Sequence, residues 1–331
     1  RIIAGYKTHV IAYNPVDERW AYLIARNGWV FKLDLYSLKP LRKVRVGIDS
    51  RSLAVSSDGR YILAGNYIPN SAVILDAQTL EPLKVIETYG IDPDGEVVDS
   101  RVGAALTVGQ RFVLVLQEAG CVWLIDYSRP GFPIVKTIDR VGHLLLGAYL
   151  VPGGRYLITG SLVDDFVAVL DLEEQQVVKR VPTGKKPYMG AGAAVEVGGR
   201  KLLFVPAVGE NKITVLEVGS WKVVKYIFTK GPGLFVASHP QSRYIWADVA
   251  FGPNSGAVHI IDKQTLKIVK TRWPGRRSIH PEFTADGRYV YVSAWGEDKV
   301  VVYDATTLER VKEFTDVKTP TGIFAGWRAG R

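Results

Sequence analysis

Cysteine is almost absent: Cys121 stands alone among 331 residues. A lone cysteine excludes an internal disulfide and any cysteine-based metal cluster. Histidine is scarce as well, at five residues, and none falls in an HExxH or paired-histidine spacing, which argues against a zinc hydrolase. No GxSxG elbow, Walker loop or GxGxxG after a strand is present. Gly190-Ala-Gly-Ala-Ala follows Pro-Tyr-Met rather than a strand pattern, so it is not read as a nucleotide loop. No apolar run nears the roughly 18 residues of a membrane helix, and no amphipathic helical period stands out. The chain begins at Arg1 rather than Met and reads as trimmed, so that any signal sequence would already have been removed.

What the chain does have is apolar, aromatic and basic. Hydrophobic residues make up 47% of it and charged residues 23%, ample for a buried core and against disorder. Forty-two Lys and Arg against thirty-three Asp and Glu leave a net charge of +9, which favours an anionic partner: nucleic acid, a membrane surface or a small polycarboxylate. The one dense basic run is Lys39-Pro-Leu-Arg42-Lys43-Val-Arg45, which reads first as solvated charge on turns and outer strands. Nothing resembles a nucleic-acid-binding module, so no nucleic-acid partner is expected.

One phrase recurs along the chain, an apolar stretch closed by an acidic residue and a turn. It appears as Val30-Phe-Lys-Leu-Asp34 and Ala72-Val-Ile-Leu-Asp76, and again ending at Asp126, Asp171, Glu217, Asp262 and Asp304. The successive acidic residues lie 42, 50, 45, 46, 45 and 42 positions apart. Upstream in several units comes a turn followed by an aromatic strand, as in Asp58-Gly-Arg-Tyr61 and Asp286-Gly-Arg-Tyr289. Asp-Gly supplies the positive φ of a tight hairpin, and the acidic residue can accept bonds from turn amides. Four short strands in about 45 residues make one propeller blade. An all-β propeller in one domain, 1–331, is therefore expected. Seven units leave two end pieces, up to about Val10 and from Thr319 onward, which either complete an eighth blade or leave seven with a frayed one.

Propeller ligands bind where the pre-blade linkers converge, so candidates are sought there. His259, inside a Val-His-Ile-Ile strand, and His239, before Pro240, read as structural; His143, after Gly142, is ambiguous. His9, in Tyr6-Lys-Thr-His-Val10, and His280, in Ser278-Ile-His-Pro-Glu282, fall in linker segments, where a neutral imidazole can ligate iron or move a proton. Arg51, Arg101 and Lys185 sit in corresponding segments. Guanidinium groups gathered in one place repel unless an anion lies between them, and Arg grips carboxylates bidentately, so a ligand bearing several acid groups fits.

These segments resemble the heme d1 propeller family, which takes in the d1 domain of cytochrome cd1 nitrite reductase and the biosynthesis proteins NirF and NirN. The resemblance runs over almost the whole chain. It is carried by Thr8-His9-Val10 leading into Asp17-Glu-Arg-Trp, Gly-Asn66-Tyr67, Lys186-Pro-Tyr188, Phe204-Val-Pro-Ala-Val-Gly, His280-Pro-Glu-Phe-Thr-Ala-Asp-Gly-Arg and Ser293-Ala-Trp295. It implies an eight-bladed β-propeller of four-stranded antiparallel blades, closed by pairing of the chain termini, with a tetrapyrrole held over its channel. By this resemblance His9 is the axial heme iron ligand and His280 the proton-transfer group, with Asp99 near an important aspartate. Arg51, Arg101, Tyr67, Lys185, Tyr188 and Trp295 are the implied cofactor-binding residues.

Two departures narrow the reading. The reductase pattern places two distal histidines over the iron; here Leu145 and Tyr188 stand near those positions, and no Cys-x-x-Cys-His is present. A working nitrite reductase is not expected. The resemblance points first to a NirF-type and second to a NirN-type role: binding heme d1 or a dihydro-heme d1 precursor in a late step of heme d1 biosynthesis, as a tetrapyrrole-modifying enzyme of oxidoreductase type. The rivals are a non-enzymatic carrier of the same molecule and a generic interaction scaffold. Implied partners are the tetrapyrrole and other heme d1 biosynthesis proteins or nitrite reductase, with no transmembrane segment. The implied location is the periplasm.

Overall fold

A computed structural model describes residues 7–190, 192–320 and 322. They form seven four-stranded sheets, each strand hydrogen-bonded to the next in chain order, with antiparallel pairing. The blades span 8–45, 49–87, 102–138, 145–182, 193–228, 236–272 and 278–314. A two-stranded ribbon, Tyr89–Ile91 with Val97–Asp99, lies between blades 2 and 3 in the chain. The fold is thus an all-β propeller, but its blades number seven among the described residues, not eight. The end piece up to about Val10, a candidate for an eighth blade, instead runs into the first strand of blade 1, Thr8–Tyr13, paired with Trp20–Ala25. Past Phe314 no strand occurs among the described residues. Closure by pairing of the termini rests on end residues that lie outside the described ones.

The described residues fall into two compact units: 7–163 with 170–178, and 164–169 with those from 179 onward. In the first, the first strands of blades 1 to 4 pack in succession; in the second, those of blades 5 to 7 do. This packing explains why the middle strands read as continuous apolar runs. Phe112-Val-Leu-Val-Leu116 is buried on both faces, and Phe112, Leu114 and Leu116 pack with Ala54, Leu63 and Ile74 of blade 2. Fourth strands are edges and stay exposed, as in Lys39–Arg45, where charge guards an unpaired rim. No helix of the described residues is long and apolar enough to cross a membrane.

The recurring acidic residue ends the third strand of every blade. Its carboxylate ties the following turn: Asp76 Oδ1 accepts the N–H groups of Gln78 (2.8 Å) and Thr79 (2.7 Å), and Asp304 Oδ1 those of Thr306 (2.8 Å) and Thr307 (2.7 Å). Four residues on, the chain turns left-handed at Leu80, Leu266 and Leu308, with φ of 61°, 53° and 65°. Each of these leucines donates its N–H back to the carbonyl of its own aspartate, at 2.9 Å in all three. A non-glycine residue in that region costs roughly 1–2 kcal/mol, and the three bonds closing each turn offset it. The repeat is therefore a turn motif, imposed by the backbone groups that each strand end leaves open.

Candidate functional site

The segments of His9, Arg51 and His280 are the beginnings of first strands, whereas Arg101 stands just before one and Lys185 and Tyr188 lie in the connection ahead of blade 5. Five first strands carry a bulge near their start. In blade 1 the ladder jumps from Thr8↔Ala25 to Val10↔Ile24, leaving His9 as the extra residue. In blade 2 it jumps from Ser50↔Asn66 to Ser52↔Gly65, leaving Arg51. Blades 3 and 4 leave Gly103 and Gly147, and blade 7 is interrupted at His280-Pro281. A bulge takes one side chain out of the strand's alternation and re-aims it. Chemistry and irregularity coincide at His9, Arg51 and His280.

In the first unit His9 is largely withdrawn from solvent beside Arg26 and Arg51. Burial, followed by those two cations, pulls its imidazole from 6.5 down to about 4, against the pull of Asp49. A neutral ring offers a lone pair for a metal at ordinary pH. Arg51 is clamped by Asp49, with Nε–H to Oδ1 at 2.9 Å and Nη2–H to Oδ2 at 2.8 Å. Tyr67 then joins the two candidate arginines: its ring centroid lies 4.5 Å from the Arg51 guanidinium carbon and 5.0 Å from that of Arg101. Burial pushes the Tyr67 hydroxyl upward in pKa, and the two cations oppose this. Arg101 has its own carboxylate, Glu118, which binds its guanidinium and accepts its backbone N–H at 2.7 Å.

The arginines therefore do not need a ligand to be held near each other. Each has a carboxylate, and one aromatic ring lies against both, so the repulsion argument made from sequence loses its force. Each guanidinium nevertheless carries five N–H donors, more than its carboxylate takes up. Asp99 is exposed on the ribbon, opposite Tyr89. His143 sits 3.4 Å from Asp94, and Leu145 is fully buried.

The second unit holds another cluster. His280 is buried, with a left-handed φ of 57°. Its imidazole lies flat on Phe235, centroids 4.1 Å and planes 9° apart. Tyr188 meets the same phenylalanine edge-on at 6.3 Å, and its backbone N–H is fixed on the Pro206 carbonyl at 3.1 Å. Beneath them Asp248 is 1% exposed. Burial pushes its carboxyl from 3.8 up to about 6, against the bonds it accepts from the N–H groups of Leu234, His280 and Phe235. Lys185 is exposed, its backbone N–H donated to Glu210 at 3.0 Å. Trp295 lies under Arg277, whose guanidinium carbon is 5.9 Å from the ring.

His259 and His239 fill packing roles. His259 accepts the Lys230 N–H at Nε2 (3.0 Å) and bonds Thr271 Oγ1 through Nδ1 (2.9 Å). His239 accepts the Gln241 N–H at 3.2 Å and meets the Ala285 carbonyl at 3.1 Å. Sequence reasoning missed Asp49, Glu118, Phe235 and Asp248. Asp49 had a signal, since an acidic and a basic residue two positions apart are close enough in the chain to pair. The others come from sequence-distant segments and had none.

The class defined by this fold and site is an all-β propeller whose first-strand bulges carry a neutral histidine next to an arginine. Residues 1–329 match the model of the Cytochrome D1 heme domain, and the chain belongs to that family. It is 37% identical over 93% of its length to the dihydro-heme d1 dehydrogenase of Pseudomonas aeruginosa, and spans 62% of that protein. It is 32% identical over 98% of its length to Protein NirF of the same organism, covering 84% of it. Among solved structures, the dihydro-heme d1 dehydrogenase NirN in complex with DHE superposes with a TM-score of 0.86 at 36% identity, covering 96% of this chain and 68% of that one. BamB from Moraxella catarrhalis, at 13% identity and a TM-score of 0.70 over 95% of this chain and 87% of that one, shares the fold alone.

Proposed function

We propose that this chain binds heme d1 or its dihydro-heme d1 precursor and acts on a tetrapyrrole side chain late in heme d1 biosynthesis. The observation that carries the reading is His9: a bulge residue with a neutral imidazole beside Arg51, whose guanidinium shares the ring of Tyr67 with that of Arg101. That donor set suits an iron tetrapyrrole bearing carboxylates. His9 would be the axial iron ligand, and Arg51 and Arg101 would bind the carboxylates with the N–H groups their own partners leave over, Tyr67 fixing their spacing. Lys185, Tyr188 and Trp295 are further contacts in this proposal, and Tyr188 stands where a distal histidine would serve a nitrite reductase.

His280 is the proton-moving group of this reading, and its packing on Phe235 supports a fixed orientation for general acid–base work. Asp99, exposed on the ribbon, is the weaker second candidate. The tetrapyrrole is the substrate in this reading, and an oxidoreductase-type enzyme is favoured over a carrier because a carrier has no use for a buried, oriented imidazole. The family match, unbroken over 1–329, supports one propeller domain over 1–331. The name dihydro-heme d1 dehydrogenase, shared by a curated relative and a solved structure, supports work alongside other heme d1 proteins, and the periplasm is the location this family reading proposes.

The test is an absorption titration with dihydro-heme d1 on the wild type, His9→Ala and His280→Ala. A spectral shift that His9→Ala alters identifies the iron ligand, and the absence of any shift sinks the tetrapyrrole reading. Side-chain conversion unchanged in His280→Ala, with binding retained, would leave a carrier.

A further inference from the structure

Asp248 is a buried carboxylate with an unusual assignment. It ends the second strand of blade 6, Tyr244–Asp248. Its Oδ1 accepts the N–H groups of Leu234 (2.8 Å) and Phe235 (3.0 Å), and its Oδ2 accepts that of His280 (3.0 Å). Removing an ionised carboxylate from water costs several kcal/mol, and without a cation beside it only hydrogen bonds to the charged form offset that. A simple loop cap would need only the first two bonds. The third reaches into blade 7 and ends on the backbone of one particular residue.

That residue is His280, held in the left-handed region at φ 57° within a first-strand bulge. A non-glycine residue persists there only where its surroundings over-determine it. The bond from Asp248 is one such constraint, and the stack on Phe235 is another. Both members of the stack hang by their N–H groups from the same carboxylate, one on each oxygen. Gly233 completes the arrangement: a Cβ there would come within 2.7 Å of the Asp248 carbonyl oxygen, so the loop carrying Phe235 is drawn tight against the strand end.

We propose that Asp248 is the positioning residue of His280, locking its left-handed backbone and setting the imidazole flat on Phe235 so that the ring meets substrate in one orientation. The proposal rests on the reading of His280 as the proton-moving group, but the geometry it asserts is independent of that reading. Asp248 itself touches no substrate; it acts through two backbone amides and a ring.

Asp248→Asn tests it. The side-chain oxygen can still serve Leu234 and Phe235, but the amide nitrogen then faces the His280 N–H, donor against donor. The His280 ring proton resonance, displaced in the wild type by the Phe235 ring current, is expected to move toward its ordinary position. Conversion of dihydro-heme d1 with an added electron acceptor is expected to fall about 10- to 100-fold, with an altered pH profile, while affinity measured from the absorption shift is retained. An unmoved resonance and an unchanged pH profile overturn the proposal. If His280→Ala converts substrate like the wild type, the proton-transfer reading fails, and the resonance in Asp248→Asn still decides the positioning role. Should Asp248→Asn not fold, amide exchange in the wild type decides instead. The N–H groups of 234, 235 and 280 are expected to be protected together, and rapid exchange at 280 overturns the proposal.

Discussion

His9 and Arg51 occupy the same place in consecutive blades, each the extra residue of a first-strand bulge. The strands that carry them are packed neighbours, and the Arg51 charge is among the causes that hold the His9 imidazole neutral. One irregularity, repeated, therefore puts a metal-competent ring next to an anion-binding group without any loop to carry them.

The tyrosine against both arginines should matter through its ring rather than its hydroxyl. Cation–π contacts of this kind are worth about 0.5–2 kcal/mol each. Tyr67→Phe is expected to bind dihydro-heme d1 within about threefold of the wild type, since both rings offer the same face. Tyr67→Ala is expected to weaken binding by about tenfold or more. Absorption titrations compare the three, and a Tyr67→Phe defect as deep as that of Tyr67→Ala would assign the role to the hydroxyl instead.

Acid should destabilise the fold before most of its carboxylates titrate. His259 is buried, and its imidazole is pulled from 6.5 down to about 4, as is that of His9. Between those values the unfolded chain binds more protons than the folded one, so stability is full above pH 6.5 and is lost as pH falls toward 4. For His259 the loss is at most about 3 kcal/mol. Asp248, raised to about 6, works the other way in that window, and two histidines outweigh one aspartate. Urea unfolding at pH 7.5 and 4.5 should show the drop, smaller in His259→Gln; equal drops in both proteins would refute the assignment.

The repeat aspartates should each stabilise their turn. Asp262 Oδ1 accepts the N–H groups of Gln264 (3.1 Å) and Thr265 (2.9 Å), while Oδ2 binds Arg243 at 2.6 Å. Asp262→Ala is expected to cost about 1–2 kcal/mol. Asp262→Asn keeps the two turn bonds and loses only the pairing with an exposed arginine, so it should cost less than about 1 kcal/mol. Chemical denaturation of the pair separates the two contributions, and a costlier Asn variant would place the energy in the ion pair.

Gly28 should tolerate no side chain. Its φ is +83°, and a Cβ would come within 1.9 Å of the Gly47 carbonyl oxygen, a backbone atom that has no rotamer to change. Gly28→Ala is expected to destabilise by about 2 kcal/mol or more, read as a fall in Tm. An unchanged Tm would mean the segment from Val46 to Ile48 shifts freely.

The sequence alone carries the propeller class, because its turn motifs depend on local groups: an acidic residue, aspartate in six blades and Glu217 in blade 5, with following amides and a residue able to turn left-handed. It also marked His9, Arg51 and His280, whose residue types carry their chemistry wherever they sit. Its repeats numbered seven and left an eighth blade open, which the family resemblance then favoured; a first strand such as Thr8–Tyr13 bears no turn signal and acquires its identity only by pairing with Trp20–Ala25. Only the tertiary structure decided what those residues do to one another. The Arg51–Tyr67–Arg101 contact and the hold of Asp248 on His280 join segments 16 to 50 positions apart, and no local pattern encodes them. They exist because blade packing buries these strand ends, and a buried charge or strained backbone must find its partner in whatever segment the fold brings there.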